Sequence, residues 1–135
     1  MVMEMMETRT TKEKPPVVYD LDDYRHGLRD RANDTEITIT DRHRMNLWTI
    51  QAGQAVPLHM HTNSECIVIV LAGQGEYRQG DRSFDMKKDT MTVASPGTAH
   101  GFRNTNTDPL VVLTIEGPGT FDTRVLEPAS EENFY

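Results

Sequence analysis

With 135 residues, 36% of them hydrophobic, the chain is long enough for one well-buried core and too short for two. Its 21 acidic residues against 14 basic ones, a formal charge of -7, argue against a basic face able to displace counterions from a nucleic-acid duplex, and no apolar run approaches the ~20 residues of a membrane helix. A single cysteine, Cys66, excludes an intrachain disulfide framework and fits a reducing cytoplasm.

Residues 1–16 carry Glu4 and Glu7 among methionines and end in Lys14-Pro15-Pro16. That composition predicts a flexible arm, or an edge strand lent to a neighbouring subunit, and not a secretory signal. One domain is expected over 17–127. It opens with VVYDLDDYRHGLRDRAND, whose short apolar start and dense charge predict a strand followed by a turn of helix or an irregular connection.

Strands then follow closely. Glu36 to Thr40 alternates Ile37 and Ile39 with polar residues, and Met45 to Ile50 is a second short apolar run. Ala52-Gly53-Gln54 turns the chain into Val56-Pro57-Leu58 and a histidine pair, His59 and His61. Cys66 to Ala72 is apolar throughout, as expected of a strand buried on both faces. Gly73-Gln74-Gly75 breaks it, Glu76 to Gln79 resumes, and Gly80-Asp81 signals a hairpin before Arg82 to Met86. Asp89 to Ala94, Ala99 to Arg103 and Leu110 to Ile115 complete the set; Glu116-Gly117-Pro118-Gly119 ends the core, and 128–135 reads as a tail. Roughly eight to ten short strands, glycine and proline turns and no long helix predict an all-β fold, an antiparallel barrel or double-sheet jelly roll.

Residues two apart on a strand face the same way, so His59 and His61 can aim both imidazoles at one point inside a barrel. A third nitrogen from His100, on a distant strand, closes a facial set and leaves positions open for water, dioxygen or substrate. Two histidines at this spacing are common by chance, and their context gives them weight. Gly53 lies six residues before His59, Glu65 four after His61, Gly73 closes the strand, and Pro96-Gly97-Thr98-Ala99-His100 is followed by Asn104 four residues on. Together these stretches, GQAVPLHMHTNSECIVIVLAG and SPGTAHGFRN, resemble the two motifs of the cupin family.

The resemblance spans Gly53 to Asn104 and implies a small, usually dimeric β-barrel. It also implies a divalent metal held by His59, His61, an acid of the first motif and His100. Glu65 satisfies the shorter of the family's two spacings after the second histidine, yet counting back from Gly73 lands on Cys66. The two face opposite sides of a regular strand, and CIVIVLA is apolar on both parities, so periodicity does not choose between them. With Glu65 inward, a mixed nitrogen and oxygen site would suit Fe, Mn, Ni or Zn. With Cys66 inward, the site is a three-histidine centre beside a thiol, and HMHTNSEC is similar to the first motif of cysteine dioxygenase and its thiol dioxygenase relatives. Lys88-Asp89 stands where the family has a Gly-Asp turn.

His26 and His43 read as solvent-exposed, Trp48 as core or interface, and Asp81 and Asp89 as turn residues; Phe102 shares the parity of His100 and is placed towards the pocket. The expected function is a cytoplasmic metalloenzyme of a small organic molecule, a dioxygenase ahead of an isomerase, lyase or decarboxylase. The competing reading is a non-catalytic metabolite-binding or sensor module with a structural or vestigial metal. A small-molecule ligand and, through the resemblance, a second copy of the chain are the expected partners, with no nucleic acid and no membrane.

Overall fold

A computed structural model describes residues 16–127. The tail at 128–135, and all but the last residue of the arm at 1–16, lie outside the described residues. The strand expected from Val17 does not form: Val17 and Val18 are 97% and 82% exposed, and a 3-10 turn at Leu21–Tyr24 follows. Asp20 caps that turn by accepting a hydrogen bond from the Asp22 amide at 3.0 Å, so local carboxylate chemistry outweighs three apolar residues.

Ten strands follow: β1 (Asn33–Ile39), β2 (Arg44–Ile50), β3 (Ala55–Met60), β4 (Glu65–Ala72), β5 (Gln74–Gln79), β6 (Arg82–Lys87), β7 (Met91–Ala94), β8 (His100–Arg103), β9 (Leu110–Gly117) and β10 (Arg124–Val125). They form two five-stranded antiparallel sheets. Sheet I runs β1-β2-β9-β4-β7 and sheet II runs β10-β3-β8-β5-β6. The expected all-β jelly-roll barrel is the fold observed, and the core lies between the sheets, with Ile50, Val68, Val70 and Val112 of sheet I against Tyr77 and Phe102 of sheet II.

Three local features place the site. Gly73, at φ +78, ends β4, where a Cβ would lie 2.4 Å from the Pro109 carbonyl oxygen. The β6–β7 turn uses Asp89 at φ 71, a residue type that tolerates the left-handed region. The third feature is a bulge in β3. Val56 pairs with Phe102, but the next pair in the ladder is His59 with His100, so β3 carries one residue more than β8 between them. Pro57, which has no amide to contribute to a ladder, sits in this irregularity.

The bulge decides which way the histidines face. Val56 is buried at 3% exposure, and strict alternation from it would send Leu58 and Met60 inward and both histidines out. The extra residue reverses the parity, and His59 and His61 end buried at 8% and 5%. On β8, a Cβ at Gly101 would approach the Val56 carbonyl to 2.7 Å, so only glycine lets β8 close against the bulged strand.

Candidate metal centre

His59 near the end of β3, His61 just beyond it and His100 at the start of β8 come together as a buried cluster, with ligand-capable atoms all within 4.8 Å of one another. Ring centroids are 4.4 to 5.4 Å apart. His59 Nδ1 lies 2.8 Å from the Pro57 carbonyl, His100 Nδ1 3.0 Å from the Thr98 carbonyl and His61 Nδ1 3.1 Å from the Asp122 carbonyl. A carbonyl oxygen only accepts, so each Nδ1 is the protonated nitrogen and each Nε2 keeps its lone pair. Burial lowers the His59 pKa, and burial together with the neighbouring His59 lowers that of His100 to about 4. Both rings are therefore neutral at physiological pH, as metal ligation requires. Three imidazoles gathered in this way fit a divalent transition metal by donor chemistry.

The fourth residue of the sequence-based set lies elsewhere. Glu65 is exposed and opposite Gly117 on the outer side of sheet I, while Cys66 is 2% exposed and lines the cavity. The physical reason is the inward parity of β4, where Cys66, Val68 and Val70 are buried together. Burial, then the nearby Glu116 carboxylate, pushes the Cys66 thiol up to about 12, so the sulfur keeps its proton.

A carboxylate does enter the cavity, from a position just past the Leu110 to Ile115 strand that the sequence reading took only as the end of the core. Glu116 is 5% exposed and lies opposite both Cys66 and Arg44 in the β-ladders. Its Oε1 accepts from Arg44 Nη2 at 2.7 Å and lies 3.5 Å from His61 Nδ1. The signal for it was present: Glu116 shares the parity of Leu110, Val112 and Thr114, a lone acid on the inward face of an apolar strand. Arg44 also lies over the Phe121 ring, 5.3 Å from its centroid.

The cavity holds about 180 Å³ and is walled by Trp48, Val56, Phe102 and Val125 around the histidines. Phe102 thus faces the cavity as expected, and Trp48 combines core packing with cavity lining. At the rim, Asp34 turns its carboxyl towards the Asn46 amide; loss of solvent raises its pKa, against the hydrogen bond that lowers it. His26 is exposed, and His43 is half-buried in the turn before β2.

A strap at 118–125 borders the cavity through Thr123 and Val125. Ser64 Oγ donates to the Pro118 carbonyl at 2.6 Å, and the Thr62 hydroxyl and amide both reach the Asp122 carboxylate, holding its pKa below the usual carboxylate range. Asn104, 1% exposed, secures the far end of β8 by donating to the Ile50 and Asp108 carbonyls at 2.8 Å each. That contact accounts for Asn104 in the second motif as a structural clasp.

The family described as "Cupin domain" matches residues 46–116. No curated protein matches the chain. Among solved structures it is similar to a conserved protein with a double-stranded beta-helix domain from Klebsiella pneumoniae, with a TM-score of 0.80 and 22% identity, over 84% of this chain and 99% of that one. It is also similar to an RmlC-like cupin protein from Desulfovibrio desulfuricans, with a TM-score of 0.60 and 25% identity, over 83% and 98% of the two chains. A DMSP lyase from Ruegeria pomeroyi aligns with a TM-score of 0.65 and 22% identity, over 76% of this chain and 55% of that one.

Proposed function

This chain belongs to the cupin family, and from that premise we propose that it is a metal-dependent enzyme of a small organic molecule, with dioxygen chemistry as the favoured reaction. The observation that carries the proposal is the cluster of three buried imidazoles, each with its Nδ1 committed to a main-chain carbonyl. In this reading His59, His61 and His100 hold a divalent ion of iron, manganese, nickel or zinc. Bound there, the ion would supply Lewis-acid activation and, if it is iron, electron transfer to dioxygen.

The chain's own residues set the terms for that chemistry. With Glu65 outside and the Cys66 thiol protonated, the three imidazoles are the ligand set, which favours the three-histidine alternative. Trp48, Val56, Phe102 and Val125 exclude water and select a small ligand by shape. Arg44 and Glu116 offer a donor and an acceptor on the wall facing the histidines, able to orient a polar substrate group. The fold does not select the reaction, since one fold hosts many. A dimer in the cytoplasm accompanies this reading, and light scattering on the purified chain tests the assembly state.

The decisive experiment is elemental analysis of protein purified without chelator or a metal-binding tag, paired with oxygen uptake on small thiols and catechol-like compounds. Near-stoichiometric iron with substrate-dependent uptake is the expected result. Stoichiometric zinc, nickel or manganese without uptake would replace the dioxygenase with non-redox chemistry or with ligand binding alone.

A further inference from the structure

The three histidines are not held alike. His59 and His100 each rest on a carbonyl two residues earlier in their own segment, Pro57 and Thr98. The Nδ1 of His61 instead faces three oxygens from the far end of the domain: the Asp122 carbonyl at 3.1 Å, Thr123 Oγ1 at 3.2 Å and Glu116 Oε1 at 3.5 Å. Two of these belong to the strap, and the third is tied to it indirectly, because Arg44 holds Glu116 at 2.7 Å while lying over Phe121. The strap in turn is fastened to the residues after His61, through Thr62 to Asp122 and Ser64 to the Pro118 and Thr120 carbonyls.

We propose that Glu116 is a positioning residue for His61, and that through Glu116 and the strap the C-terminal end of the domain sets the metal affinity of the site. The proposal rests on the metal reading above. A carboxylate behind a ligating imidazole polarises its N–H and strengthens the opposite nitrogen as a donor, and losing such a partner typically costs metal affinity about 10–100-fold. Backbone register, and not a free rotamer, puts the carboxylate there, since Glu116 lies between Arg44 and Cys66 in adjoining ladders. His59 and His100 form a locally fixed pair, and His61 is the ligand whose orientation depends on remote contacts.

The test is titration of metal-free full-length protein with cobalt(II) alone, reading affinity by competition with a chromogenic chelator and geometry by the visible spectrum. Glu116→Gln keeps the shape and removes the charge. Its cobalt affinity should fall about 10–100-fold with a shifted absorption band, while circular dichroism shows the metal-free protein folded as in the wild type, with melting lowered by the loss of the Arg44 ion pair. A double variant, Thr62→Val with Ser64→Ala, loosens the strap and should lower affinity in the same direction. Wild-type affinity and spectrum in Glu116→Gln would overturn the role of the carboxylate, and should that variant fail to fold, unchanged binding by the double variant would overturn the proposal. If the wild type itself binds no cobalt, the metal reading falls and this inference with it.

Discussion

Sheet II brings His59, His61 and His100 to the cavity, while sheet I faces them with Arg44, Glu116 and Cys66. The two sheets are also built differently. β2, β4 and β9 of sheet I are seven or eight residues long and bury much of the core, whereas β3 and β8 of sheet II are six and four residues long and joined through a bulge. Register shifts occur in both sheets, but the imidazoles sit at the ends of the short strands and the charged groups on the long ones. The contrast suggests that stability and ligation can be perturbed separately, because the bonds that orient the rings are short-range turns and strap contacts and not core packing.

The strongest way to break that contrast is to remove the imidazoles. His59→Ala, His61→Ala and His100→Ala should each abolish tight metal binding, measured by metal content and calorimetry, and leave the barrel folded by circular dichroism. Unfolding of all three would make sheet II as structural as sheet I. The reciprocal change is Leu110→Ala at a 2% exposed core position of sheet I. It should destabilise by about 2–5 kcal/mol in urea unfolding, with metal stoichiometry per folded molecule retained.

A pH titration sharpens the same division. The His100 pKa is lowered to about 4 in the fold, below its ordinary 6.5, so between those values the unfolded chain binds the extra proton. Stability of the metal-free protein is therefore fully present above pH 6.5 and is lost as pH falls towards 4, by up to roughly 3 kcal/mol. Urea unfolding of wild type and His100→Ala at pH 7 and 4.5 should show the drop in the former and a shallower one in the latter. The smallest effect belongs to the outer face. Glu65→Ala should change stability by less than about 0.5 kcal/mol and leave the metal spectrum alone, whereas Cys66→Ala should alter the spectrum.

Much of the barrel was legible because the apolar runs and turn glycines carry it: Met45 to Ile50, Cys66 to Ala72 and Leu110 to Ile115 all lie within strands. The stretch at Val17 was not, since three apolar residues cannot outweigh a capped turn. Within the site, the histidines were found from spacing, but the motif spacings pointed to both Glu65 and Cys66 and left the choice open. Ile67 and Ile69 are half-buried on the outer face while Val68 and Val70 fill the inner one, so the strand shows no polar side by which to read its parity. Glu116, Asp122 and Thr123 act on His61 across 55 to 62 positions of sequence, beyond the reach of any local pattern.

The β3 bulge has a consequence for how such a site could be lost. A strand reads its side chains in a frame of two, and the extra residue at Pro57 acts on that frame as a one-letter insertion acts on a message. Drawing that residue back into regular pairing, with none lost, would restore the upstream frame and exchange His59 and His61 for Leu58 and Met60 in the cavity. The replacement pair is apolar, so the shifted message still spells a buried surface. Deleting Pro57 has the opposite result: the bulge disappears and His59 stays opposite His100, so the site survives a lost residue there and not a straightened strand.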